Sequence, residues 1–252
     1  MPTVKGLPKG KAAPLTISQD AARRFLVGLS WDPKEPEKPK LIPPFPSGDP
    51  AAMAPWLLLL LPRLVLLPFR LLFRPVAQAD ARAKAQWGKA EDTRGRDKTS
   101  AHFDLDLACY VFDKDFNQLA YVGPDDAAFI DASKKVYHSG EDQGGFGGPD
   151  DETISVETQG LPENYHHFFF VVECDSKYSL EEIRNPAIRL ADGKTNENAI
   201  ETTLTPPLHL NAHGFAFCHV WREGDGFMVR NLEEYTGDNM DWPKFLSGFA
   251  AA

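Results

Sequence analysis

Phe103-Asp104-Leu105-Asp106-Leu107-Ala108-Cys109-Tyr110-Val111-Phe112 (FDLDLACYVF) is the stretch on which the fold turns. Its opening alternates polar and apolar residues, so an extended chain sends Asp104 and Asp106 to one face and Leu105 and Leu107 to the other. Seven further stretches share this short, aromatic or β-branched texture: Phe25 to Trp31, Thr153 to Val156, His167 to Glu173, Ala187 to Leu190, Ala199 to Leu204, Phe215 to Trp221 and Gly226 to Arg230. Turn-formers separate them at Gly123-Pro124, Gly140 to Pro149, Asp192-Gly193 and Gly224 to Gly226. Short strands with few helical stretches predict an all-β chain, a β-sandwich of two mainly antiparallel sheets.

The chain has 252 residues, of which 42% are hydrophobic and 25% charged, enough to bury a sizeable core and to set aside wholesale disorder. With 27 Lys and Arg against 36 Asp and Glu, the net charge is −9. Nucleic-acid affinity rests on neutralising phosphates, so an acidic chain of this kind is expected to bind cations instead. Cys109, Cys174 and Cys218 lie far apart without paired metal spacing and leave an odd thiol, which fits a reducing compartment. Lys5, Lys9 and Lys11 lead into polar sequence with no apolar signal core, so a cytoplasmic location is expected.

Charge and proline mark an insertion at residues 33–100. This segment holds 12 basic and 7 acidic residues, a net +5, against −14 for the remainder, and 11 of the 21 prolines fall between Pro33 and Pro75. Proline fixes φ and removes a ladder donor, so residues 33–55 are expected to form an extended, Pro-rich linker. Trp56 to Phe73 (WLLLLLPRLVLLPFRLLF) follows within an apolar segment, 56–75. As a helix it would span about 27 Å, close to a bilayer core of about 30 Å. Pro62 and Pro68 interrupt it, however, and Arg63, Arg70 and Arg74 share one helical face, with Trp56, Leu60, Leu67 and Phe73 among the apolar remainder. That is the pattern of an interfacial helix with snorkelling arginines, or of a helix buried against this protein or a partner. Residues 79–98, rich in Ala, Lys and Arg, predict a solvated polar helix.

The chemistry-bearing pattern is acidic. Asp104 and Asp106 on one face repel each other unless a cation or solvent intervenes. Downstream, Gly140 to Gly148 (GEDQGGFGG) carries five glycines in nine residues and runs into Pro149-Asp150-Asp151-Glu152. Glycines let backbone and carboxylate oxygens converge on a hard cation wanting six to eight of them, which suits calcium better than magnesium. An acidic loop is also well served by water alone. No helices flank it in the EF-hand manner, so spacing leaves both readings open.

Several of these motifs occur together in one known family. Phe103-Asp104-Leu105-Asp106, His138-Ser139-Gly140-Glu141-Asp142, the glycine stretch and Asp150-Asp151-Glu152 resemble the F-D-L-D-A, H-x-G-D-N and G-D-D-E elements of the TerD-type tellurium-resistance and stress-response family. Leu7-Pro8-Lys9-Gly10 and Val27-Gly28-Leu29-Ser30-Trp31-Asp32 resemble its opening elements, and the likeness continues through Phe168 to Val172, Asn185 to Leu190 and Trp221 to Gly224. The resemblance implies a non-enzymatic β-sandwich with calcium-binding loops, acting in tellurite, toxic-oxyanion or envelope stress. By position it implies Asp32, Asp104, Asp106, Asp142, Asp150, Asp151 and Glu152 as calcium ligands or their immediate supports. Glu141 stands where the family has Asp and still reaches as a ligand, while Gly148 stands where a further acid is common. Other TerD-like proteins are implied as partners.

Since the family's W-D element lies a short loop before F-D-L-D, the expected organisation is one sandwich of residues 1–32 plus 101–252, interrupted by the Pro-rich and apolar helical insertion 33–100. A single bilayer crossing would then place the two halves of one sandwich on opposite sides and leave their strands unpaired. An in-plane helix, a re-entrant hairpin or a docked helix is expected instead. The basic insertion beside an acidic body predicts a peripheral, membrane-proximal adaptor at the inner face of the cytoplasmic membrane, bound to its surface or to a membrane complex. The competing expectation is a metal-independent assembly subunit that docks through the same apolar segment.

Other constellations are weak. His209, His213, Cys218 and His219 lack helical zinc spacing. Ser133, Ser139 and His138 have no nucleophile elbow, and no phosphate-cradling or dinucleotide motif occurs.

Overall fold

The computed structural model describes residues 6–20, 22–32, 105–125, 127–138, 150–174, 178–207 and 210–251. The linker 33–55, the apolar segment 56–75 and the polar helix 79–98 lie outside these residues, as do Asp104, Glu141 and Asp142.

Eleven strands form in the described residues: β1 (Ala12–Leu15), β2 (Arg24–Asp32), β3 (Leu105–Phe112), β4 (Gln118–Val122), β5 (Val136–His138), β6 (Glu152–Glu157), β7 (His167–Cys174), β8 (Arg184–Asp192), β9 (Asn198–Thr203), β10 (Gly214–Glu223) and β11 (Gly226–Thr236). They make a six-stranded sheet, β1-β11-β10-β7-β3-β4, and a five-stranded sheet, β5-β6-β2-β8-β9. Every recorded strand pairing is antiparallel. Each of the eight stretches read as strands from the sequence contains a strand among its described residues, and β1, β4 and β5 are additional.

β2 is hydrogen-bonded to β6 on one side and β8 on the other. A strand that precedes residue 33 is thus central in a sheet whose other members follow residue 100. Period-two side chains from both sheets fill one core: Phe25, Val27, Leu29 and Trp31 of β2 meet Leu105, Leu107, Cys109 and Val111 of β3 and Phe168, Phe170 and Val172 of β7. Phe25 packs edge-on against Phe168 and Phe170 at ring distances of 6.5 and 6.2 Å.

The uninterrupted Phe168 to Val172 run has its own cause. Both faces of β7 are covered, because Phe169 and Val171 point away from the sandwich core into a second cluster with Ala108, Phe112, Ala216, Leu232, Trp242 and Leu246. Trp242 and Leu246 come from a short helix, α1 (Trp242–Ser247), which the sequence reading did not contain. Asp241 caps it by accepting from the Lys244 amide, and Pro243 sits in its first turn, where no intrahelical N–H is needed. Among the described residues, no helix is long and apolar enough to cross a membrane.

A candidate oxygen-donor site where three acidic motifs meet

Asp150, Asp151 and Glu152 enter β6 beside β2, with the Asp151 amide donating to the Leu29 carbonyl at 2.8 Å and Glu152 in register with Leu29. From this short run the three carboxylates depart in three directions.

Asp150 lies over the outer face of the five-stranded sheet. Gly28 is the residue beneath it, and a Cβ there would collide with the Asp150 carboxylate. Arg189 of β8, in register with Gly28, reaches across that gap. Its Nε and Nη2 donate to the two Asp150 oxygens at 2.8 and 2.5 Å, and its Nη1 donates to Asn198 Oδ1 at 2.8 Å. The pair is mostly buried, with 14% and 11% of the side chains exposed. The hydrogen bond to Asp150 raises the guanidinium pKa despite burial.

Asp151 turns to the end of β2, where its Oδ2 accepts from the Trp31 amide at 2.9 Å. Glu152 turns inward. Its Oε2 accepts from the Leu107 amide at 2.7 Å, with His138 Nε2 3.4 Å from the same oxygen and both side chains fully buried. Phe129 stacks on the His138 ring at 5.7 Å.

The run therefore touches the end of β2 through Trp31, next to Asp32, and the beginning of β3 through Leu107, next to Asp106. Residues 150–152, far from both in sequence, thus join the end of β2 to the beginning of β3 at one end of the sandwich. Asp32 is exposed there, its Oδ2 accepting from Asn185 Nδ2 at 2.7 Å. Asp106 shares the outer face of the six-stranded sheet with Ala108 and is in register with Glu173, whose Oε1 accepts from Trp242 Nε1 at 2.7 Å. Asp106 and Glu152 both contribute at Tyr121. Its phenol is pushed up to about 12 by burial first, then by Glu173, Asp125, Asp106 and Glu152.

The donor set suits a hard cation in chemistry, being carboxylate oxygen without sulfur. Asp151 and Glu152 bind the amides of Trp31 and Leu107, Asp106 lies on the outer face of the six-stranded sheet, and Asp150 already has an arginine on both oxygens. Among the described residues, no three His, Cys, Asp or Glu side chains converge as a metal site. Asp104, Glu141 and Asp142 lie outside them, as do Trp56, Leu60, Arg63, Leu67, Arg70, Phe73 and Arg74 of the insertion.

Three features were not singled out from sequence. Arg189 sat within an apolar-looking strand with nothing to mark its partner. Gly28 sat in a strand pattern, a position that signals close approach of another group. Asp131 accepts from the amides of Ser133, Lys135 and Val136 at 2.7, 2.8 and 2.8 Å and from the Tyr165 hydroxyl at 2.9 Å. Burial works to raise its pKa, but these bonds outweigh it and hold the carboxyl below the usual range. The weak zinc grouping is dispersed: Cys218 is buried in the sandwich core, His219 lies beside His167 at 2.9 Å, and His213 contacts Asn211 at 3.1 Å, while His209 lies outside the described residues.

The chain is similar to a solved structure described as unknown function protein SAV2460, at 15% identity over 88% of this chain and 93% of that one, with a TM-score of 0.51. It is also similar to a homologue of telluride resistance protein (TerD), SCO6318 from Streptomyces coelicolor A3(2), at 12% identity over 85% and 90%, again with a TM-score of 0.51. At these identities the likeness concerns the fold. No curated protein matches. The family described as TerD domain matches residues 80–241, a span that begins after β2 and includes the last part of segment 33–100. With more than half of its length matched, this chain belongs to the TerD domain family.

Proposed function

We propose that the chain is a non-enzymatic, calcium-binding stress-response protein of the TerD family, serving tellurite, toxic-oxyanion or envelope stress as an adaptor. The observation that supports the reading is that Asp151 and Glu152 tie the head of β6 to the end of β2, beside Asp32, and to the start of β3, beside Asp106. Calcium would be held by oxygens from Asp104, Asp106, Glu141 and Asp142 together with Asp151, Glu152 and Asp32. It would supply the positive charge that lets these carboxylates lie together.

Trp56 to Phe73 is the proposed contact with the inner face of the cytoplasmic membrane or with a membrane complex, its arginines toward phosphates. Since both ends of segment 33–100 return to one sandwich, that contact is peripheral. Other TerD-like proteins are proposed partners, and nucleic acid is not.

Calorimetric titration of the full chain with calcium, paired with melting in calcium and in chelator, tests the reading. Binding heat and a raised Tm are expected, with about 2.7 kcal/mol of stabilisation at a hundredfold excess over Kd. No heat and a chelator-insensitive Tm would remove calcium from the account. They would favour the second reading, a metal-independent assembly subunit, which the Asp150–Arg189 pair supports because it neutralises one carboxylate without any metal.

A further inference from the structure

We propose that Arg189 is the resident counter-cation of Asp150, withdrawing this carboxylate from the calcium ligands and fastening the start of the Asp150-Asp151-Glu152 run to the five-stranded sheet with or without a divalent ion. The part concerning ligands rests on the calcium reading above; the fastening does not.

Both Asp150 oxygens receive a guanidinium N–H, in the two-pronged geometry that makes arginine–carboxylate pairs strong and directional. A metal ion would have to displace at least one prong and then sit beside a fixed positive charge. Arg189 is also fixed from its other side, by Asn198 of β9. The sheet is cut to accommodate the pair: Gly28, in register with Arg189, leaves the space that the carboxylate fills. Asp150 is thereby joined to β2 beneath it, to β8 through Arg189 and to β9 through Asn198. Asp151 and Glu152 then start from a fixed point when they turn toward Trp31 and Leu107.

The test uses the full chain in excess chelator. Melting is followed for the wild type, Asp150→Asn, Arg189→Gln and the double variant, and calcium titration is run on the wild type and Asp150→Asn. Each single variant is expected to lower Tm by about 4–10 °C, on the scale of a few degrees per kcal/mol for a chain of this size. The double variant is expected to melt no lower than the worse single one, and Asp150→Asn to keep its calcium affinity within about twofold. Strictly additive losses, an unchanged Tm for Asp150→Asn in chelator, or loss of the wild-type calcium heat in Asp150→Asn would each overturn the proposal. Should Arg189→Gln fail to fold, the near-isosteric Asp150→Asn decides alone through its Tm. A wild type without calcium heat defeats the calcium reading, and the chelator cycle still decides the fastening.

Discussion

Glu152 Oε2 accepts the Leu107 amide proton at 2.7 Å, so the first residue of β6 is tied to β3 of the facing sheet. Leu107 lies two residues before the first β3–β4 register pair, Cys109 with Val122, and its amide on that side has no ladder partner. A carboxylate from the other sheet replaces the missing strand. Because the contact is buried, Glu152→Ala should strand a backbone donor and cost about 1–3 kcal/mol beyond the lost packing, while Glu152→Gln, which keeps an acceptor oxygen, should recover part of that loss. Urea unfolding of the two variants checks the order. Equal losses would mean that the amide is satisfied by another group.

Gly28 makes a second, purely steric prediction. Its φ is not in the left-handed region, so the demand on this position is space. Gly28→Ala should cost roughly 1–3 kcal/mol, as overpacking does, because the Asp150 carboxylate must move and its bonds to Arg189 with it. In an Asp150→Ala background the same substitution should cost markedly less. A double-mutant cycle by denaturant unfolding measures the difference, and identical costs in both backgrounds would show that the collision is relieved elsewhere.

These contacts mark the limit of what sequence can display. Aromatic and β-branched texture exposed the eight longer strands, helped in some by alternation, since inward Phe25, Val27 and Leu29 or Leu105 and Leu107 leave a period-two trace. β5 is three residues long and β1 carries Pro14 at a sheet edge, and both are too short or too irregular to leave one. α1 has six residues and a single N-terminal signal in Asp241-Trp242-Pro243. The acidic run was visible, but its faces were not. Period two places Asp150 and Glu152 together, whereas the strand begins only at Glu152, so Asp150 faces outward and Glu152 inward. Arg189 carries no local mark of an aspartate 39 residues earlier in the chain.

Acid should weaken the fold first through two buried imidazoles and then, at lower pH, through a carboxylate as well. His167 Nδ1 and His219 Nε2 are 2.9 Å apart, stacked on Phe116 and Phe169 respectively, each at 4.1 Å. Burial lowers both pKa values, His167 to about 4 and His219 to about 2. After burial, His166 lowers His167 further while Asp113 partly opposes it, and His167, Arg230 and His166 lower His219 further. The unfolded chain binds protons on these residues near pH 6.5 and the folded one does not, so stability present above pH 6.5 is lost as pH falls, toward 4 for His167 and toward 2 for His219. A loss of roughly 1–3 kcal/mol between pH 7.5 and 5 is expected. Asp192 acts lower. Burial works to raise its pKa, but the amides of Thr195, Ser18 and Lys194 bring it to about 2, so its contribution is present above pH 3.8 and disappears as pH falls toward 2. Denaturant unfolding across pH checks both windows, and His219→Phe should flatten the upper one. A wild type equally stable at pH 7.5 and 5 would show that the imidazoles take up protons without unfolding.

The insertion should be dispensable for folding. β2 ends at Asp32, and every register partner it has, from Glu152 to Glu157 in β6 and from Arg184 to Asp192 in β8, follows residue 100. Nothing in that pairing draws on residues 33–100. Replacing them with a Gly-Ser linker of about eight residues shortens the connection by about three doublings, each worth about 0.6 kcal/mol of closure entropy. Stability should therefore be unchanged or higher by up to about 2 kcal/mol, while co-sedimentation with anionic vesicles should fall away if Trp56 to Phe73 makes the lipid contact. A deletion protein that melts as the wild type and still sediments would move the membrane contact onto the sandwich. One that fails to fold would show that the segment supplies structure the sandwich needs.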